Sequence, residues 1–78
     1  MGGVEKLIAK LAHAKGLVSL IEIERLVTHY GYRWEGFTGS HAHYEKEPGG
    51  RPLYFPVHNG KVKHVYVRDL IKKLTALS

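Results

Sequence analysis

Cysteine is missing from the whole of this 78-residue chain, so neither a disulfide framework nor a thiolate zinc site can brace it. Long apolar runs are missing too. No stretch approaches the length a bilayer-spanning helix needs, and no h-region follows the amino terminus. These absences lead to the expectation of a soluble, cytoplasmic protein. Proline is confined to Pro48, Pro52 and Pro56, where with Gly49 and Gly50 it marks a break between two β-forming runs. Repeats, low-complexity segments and interdomain linkers are absent as well. What remains is one small domain, near the lower size limit for a self-sufficient core. So thin a core leads to the expectation of a partner or a homo-oligomer that buries further surface.

Acidic residues are scarce relative to basic ones, with 7 Asp and Glu against 12 Lys and Arg and a formal net charge of +5. The imbalance is uneven along the chain. Residues 1–40 carry five cations against four carboxylates, and residues 41–78 carry seven against three. A basic second half favours a polyanion partner, nucleic acid first among them. The plainer reading is a solvated surface that keeps the protein in solution.

Val4, Leu7, Ile8, Leu11 and Ala12 recur at helical spacing, with Glu5, Lys6 and Lys10 off the stripe. Gly16 is expected to end this helix. Ser19 is placed to cap a second one and precedes Glu22 at the capping-box spacing. Leu20, Ile23, Leu26, Val27 and Tyr30 make its apolar face, and Gly31 stops it. Tyr32 to Phe37 alternates aromatic and polar residues and reads as a strand. Thr38-Gly39-Ser40 turns the chain, His41 to Lys46 makes the second strand, and Arg51 to Val57 the third. Pro52 and Pro56 lack donors, which puts that third strand at an edge or on a bulge. Asn59-Gly60 centres a further turn. Val67, Leu70, Ile71 and Leu74 mark a last helix with no capping residue just before Val65. The expected architecture is α+β, with helices on one face of a three-stranded antiparallel sheet.

Chemistry concentrates between Gly39 and Lys61. On a strand, His41 and His43 point to one side and Ala42 to the other. Histidine gives or takes a proton near neutral pH without a perturbed pKa. In RNA cleavage an imidazole can take the proton of the ribose 2′-hydroxyl while an acid protonates the leaving 5′-oxygen. Arg51, Lys61 and Lys63 are at hand to stabilise the charge gathering on the phosphoryl oxygens. Such a step uses no metal and no cofactor. Two other readings compete: ordinary polar histidines on a wet sheet face, or a metal site built from His41, His43 and His58. The metal reading lacks a compelling further ligand. Tyr32, Trp34 and Phe37 can stack on bases, yet period-two aromatics on a strand are expected in the core. Gly39 and Ser40 can bring backbone near a phosphate, and Lys72 and Lys73 can grip one. His13, His29 and His64 read as surface or partly packed residues.

Gly39-Ser40-His41, Tyr44, the Pro/Gly turn into Gly50-Arg51, the run Pro56-Val57-His58-Asn59-Gly60-Lys61 and an amphipathic helix ending in Leu77-Ser78 together resemble the HicA-type toxins, also called the YcfA-like family. The resemblance spans residues 19–78. It implies an mRNA interferase, an endonuclease of a toxin-antitoxin pair with a double-stranded-RNA-binding-domain-like α-β-β-β-α fold, neutralised by a HicB-type antitoxin. It also implies that His41 is the active histidine, that Gly39 and Ser40 present it, that Lys61 contacts RNA, and that His58 has a structural role. The chain departs from the pattern in three places. Residues 1–18 add a helix and connector, a candidate surface for a homodimer. His43 replaces an aliphatic residue and is a candidate to share or replace the role of His41. Val65-Tyr66-Val67 stands where the family has a Pro-Gly-Thr-like helix start. The alternatives are a non-catalytic RNA-binding module on the same fold, or a protein-interaction domain that meets an acidic antitoxin-like partner.

Overall fold

A computed structural model of the chain describes residues 3–76. Of the frayed start expected at Met1-Gly2-Gly3, Gly3 is helical, whereas Met1 and Gly2, like the Leu77-Ser78 end, lie outside the described residues. Among the described residues the elements run α1 (Gly3–Ala12), β1 (Leu17–Ser19), α2 (Leu20–His29), β2 (Tyr32–Thr38), β3 (His41–Lys46), β4 (Leu53–Pro56), β5 (Lys61–Lys63) and α3 (His64–Ala76). Strands β2, β3 and β4 form an antiparallel sheet in that order, and β1 pairs with β5 in a separate two-stranded ladder. The chain is α+β, as its patterning implied. Among the described residues no helix is long and apolar enough to cross a membrane.

The helical stripes turn inward. Ile23, Leu26 and Val27 of α2 meet Val67, Leu70, Ile71 and Leu74 of α3 in one buried cluster, and Leu11 of α1 joins it. Val4, Leu7 and Ile8 pack partly against the same core, so the apolar side of α1 is covered by its own chain. Ser19 caps α2 from an extended conformation, its hydroxyl accepting from the Ile21 N–H at 3.2 Å. Glu22 does not serve as the box's return partner; its carboxylate pairs with Lys10 and ties α2 to α1. Gly31, at φ 94°, releases the chain from α2 into β2.

The sheet contributes Tyr32, Ala42, Tyr44, Leu53 and Phe55 to the core. Period two does not run unbroken through β2. A bulge between Trp34 and Gly36 shifts the register, pairing Trp34 with Tyr44 and Phe37 with Ala42. Trp34 and Phe37 thus share a face although they are three residues apart, their rings meeting edge-on with centroids 5.0 Å apart. The core reading of these two aromatics is corrected here. Only Tyr32 is buried, while Trp34 is 40% and Phe37 55% exposed, because β2 is an edge strand with a neighbour on one side only.

Strand β4 is shorter than the expected Arg51–Val57 and lies at the other edge, where Pro56 is tolerated. The β1–β5 ladder was not expected at all, since three-residue strands carry too little alternation to register. It buries Val18 against Val62 and leaves Leu17, Lys61 and Lys63 facing outward. The missing cap of α3 is explained by its start directly after β5. The His64 N–H donates to the Gly16 carbonyl at 2.9 Å, and the Gly16 N–H donates to His64 Nδ1 at 3.0 Å. Nδ1 also lies 3.1 Å from the Gly16 carbonyl, so it accepts from the Gly16 N–H in one tautomer and donates to that carbonyl in the other. A distant backbone segment thus takes the place of a local cap.

Candidate functional site

Strand β3 sorts its side chains as the pleat requires. Ala42 and Tyr44 are buried, His41 is exposed and His43 half-buried on the face away from the core. Gly39, at φ 62°, and Ser40 form the two-residue turn that leads straight into His41. His41 stands opposite Pro56 of β4. The Val57 N–H donates to the Ser40 carbonyl at 2.9 Å, which makes His41 and Pro56 a non-hydrogen-bonded pair. In such pairs the Cα atoms lie about 4.5 Å apart and the side chains approach closest.

His43 has a different environment. Its ring stacks on Tyr54 across the strand, centroids 4.4 Å apart and planes 14° from parallel. Its Nε2 is 2.9 Å from Glu45 Oε2, yet the angle is too poor for a hydrogen bond and the nitrogen is shielded from solvent. Next to it the sheet face is charged and self-compensating: Arg33 pairs with Glu35 at 2.6 Å and with Glu47 at 3.4 Å. Those carboxylates raise the pKa of the guanidinium, Glu47 most. This end of the face offers no net positive charge to a polyanion.

Positive charge collects on the other side of Pro56. An open groove of about 360 Å³ is lined by Pro56, His58, Asn59, Lys61, Lys63, Tyr66 and Leu17. The hairpin of His58 and Lys61, which exchange both backbone bonds at 2.9 Å, builds one wall. Asn59 at φ 53° and Gly60 at φ 72° give its turn the left-handed conformations that a two-residue hairpin needs. Lys61 and Lys63 lie two residues apart on β5, so both project to the same side. Among the described residues, neither lysine is within ion-pair distance of a carboxylate.

The remaining cations are dispersed. Lys73 pairs with Asp69 one turn earlier at 3.1 Å. Together with Arg51 it lines a second groove of about 460 Å³ at the Pro52–Leu53 end of β4. Lys72 lies elsewhere on α3, beside Arg68 and Val65. The structure therefore gathers Lys61 and Lys63 in a groove bordered by Pro56, the cross-strand partner of His41, and does not bring Arg51, Lys72 or Lys73 to the same place. Among the described residues no three His, Asp or Glu side chains cluster closely enough to hold a metal ion, so His41, His43 and His58 form no such set. No residue of α1 lines the lysine groove.

Sequence reasoning missed Leu17 and Tyr66, which line the groove, and His64, which clamps Gly16. The Lys61-Val62-Lys63 alternation was the one local signal for β5, and it needed Leu17-Val18-Ser19 as its pair. Fold and site define a small α+β domain with a histidine-bearing sheet face beside a groove of unpaired lysines. No family model, curated protein or solved structure matches the chain.

Proposed function

We propose that the protein is a metal-independent endoribonuclease of the HicA toxin type, acting on mRNA with His41 as general acid/base. One observation carries this reading: His41 is exposed at the start of β3, directly opposite the proline that walls the groove of Lys61 and Lys63. Over the span of the resemblance the order is α2, β2, β3, β4, β5, α3, and the succession of α2, the three-stranded sheet and α3, with the short β5 inserted before α3, supports a double-stranded-RNA-binding-domain-like core for residues 19–78, with α1 added in residues 1–18. Gly39 and Ser40 present His41, as that resemblance implies.

In the proposed step His41 takes the proton of a ribose 2′-hydroxyl. The freed oxygen attacks the adjacent phosphorus, a cyclic phosphate forms, the bond to the 5′-oxygen breaks, and an acid returns a proton to that oxygen. Lys61 and Lys63 stabilise the charge on the phosphoryl oxygens. His58, exposed in the groove, is better situated as the acid than His43, whose Nε2 is shielded beside Glu45. The natural antagonist is an acidic, HicB-type antitoxin that covers the lysine groove. A homodimer through α1 would have the outer residues Gly3, Glu5, Lys6, Ala9 and Lys10 to use, because the apolar stripe packs inward.

Cleavage of mRNA by the purified chain, in the presence of a chelator, tests the proposal. His41→Ala is expected to lower the rate by about 10²–10⁴-fold with the thermal transition unchanged. A His41→Ala protein that cleaves as fast as the parent would remove the proposed role. Intact RNA bound in a salt-sensitive manner by the parent chain would favour the non-catalytic RNA-binding module.

A further inference from the structure

The groove of Lys61 and Lys63 does not end at Tyr66. Tyr66 also lines a small crevice of about 60 Å³ between β4 and α3, shared with Tyr54, Asp69 and Lys73. Lys73, Pro52 and Leu53 then continue from that crevice into the groove that holds Arg51. A single furrow thus follows the β4–α3 seam, basic at both ends and aromatic at its middle. Its one carboxylate, Asp69, is paired with Lys73 at 3.1 Å.

The aromatic rings along the exposed surface differ in what they have left to offer. Trp34 is engaged edge-on by Phe37 and by Tyr44, and Tyr54 has a face covered by His43. Tyr66 is 43% exposed, and among the described residues its ring meets no other ring. It follows β5 by three residues and shares the lining of the groove with Pro56 and with Leu17, itself 62% exposed. A free aromatic face beside two like-facing lysines is the arrangement that takes a base by stacking while the cations hold its backbone. A base inside a duplex has both faces covered by its neighbours and cannot use such a platform.

We infer that Tyr66 is a base-stacking residue, and that the furrow between β4 and α3 binds an unpaired stretch of RNA, with one base on Tyr66 and flanking phosphates on Lys61 and Lys63. This rests on the RNA-binding reading above and adds to it the strandedness of the substrate and the residue that selects it. The phosphate beside the stacked base lies on the His41 side of the groove, since His41 is the cross-strand neighbour of Pro56.

The test uses the full chain and two probes with 2′-O-methyl sugars, which lack the attacking hydroxyl: a short single strand bearing 2-aminopurine, and a hairpin of the same composition. Tighter binding of the single strand, with 2-aminopurine fluorescence quenched on binding, is expected. Tyr66→Ala should weaken that binding by about tenfold or more and abolish the quench, while Tyr66→Phe keeps both. Tyr66→Leu, which retains bulk without an aromatic face, should behave as Tyr66→Ala and stands in for it if the smaller residue unfolds the domain. A non-aromatic variant that binds the single strand as well as the parent, or that loses hairpin and single strand equally, overturns the inference and leaves general RNA binding standing. A parent chain that binds neither probe at low salt overturns both readings together.

Discussion

Two histidines share one face of β3 and are separated by a single alanine, yet their surroundings differ. His41, at the strand's start, keeps its ring in solvent, and His43 loses its own to Tyr54 and Glu45. A group that must meet a ribose needs the first environment. A shifted titration belongs to Tyr44, which follows His43 on the same strand. Tyr44 is buried in the core while its hydroxyl donates to Glu24 at 3.1 Å. Burial, and then the Glu24 charge, hold its proton and raise its pKa far above the ordinary value. The unfolded chain gives up that proton from about pH 10, whereas the folded chain retains it. The associated stability is therefore complete below pH 10 and declines as pH rises beyond it. Urea unfolding across the alkaline range should show this slope in the parent and a flatter one in Tyr44→Phe. At neutral pH that variant should lose only about 1 kcal/mol, the usual worth of one hydrogen bond.

Among the elements, the β1–β5 ladder does most to assemble the site. It brings Leu17 opposite Lys63 and sets both groove lysines on one side, with Val18 and Val62 anchored beneath. The ladder depends on the turn at Asn59-Gly60. A Cβ added at Gly60 meets nothing within 4 Å, so any cost of Gly60→Ala comes from its φ of 72°. Left-handed backbone costs a non-glycine residue about 1–2 kcal/mol. Denaturant unfolding of Gly60→Ala should show a loss of that size, and a loss beyond it would mean that the turn has rearranged. The Leu20 N–H donates to the Gly60 carbonyl at 2.9 Å, so this turn also steadies the start of α2.

At the scale of the molecule, a net charge of +5 is a poor guide until the pairs are removed. Arg33, Lys10 and Lys73 are each met by a carboxylate, whereas Lys61 and Lys63 face the groove without one. Counterion release then distinguishes them. In fluorescence titrations of RNA against salt, Lys61→Ala and Lys63→Ala should each reduce the log–log slope by about one, and Lys73→Ala by much less. Equal effects from all three would extend the polyanion from β5 as far as Lys73 on α3 instead of confining it to β5.

Local spacing was enough to reveal three amphipathic helices, the Ser19 cap, the hairpin that carries His41 and His43, and a third strand that its prolines put at an edge or on a bulge, of which the structure takes the edge. Each of these depends on periodicity, on capping chemistry or on a missing N–H, all of which act within a few residues. The bulge in β2 leaves one local trace, the three-residue step from Trp34 to Phe37 where strict alternation would take two. Other features required the chain to close on itself. Gly16 meets His64 across 48 residues, β1 finds β5, and Tyr66 joins Lys61 along one furrow. These contacts form because burying Val18, Val62 and Val67 in a common core brings distant segments together, and no short window of sequence contains both sides of such a contact.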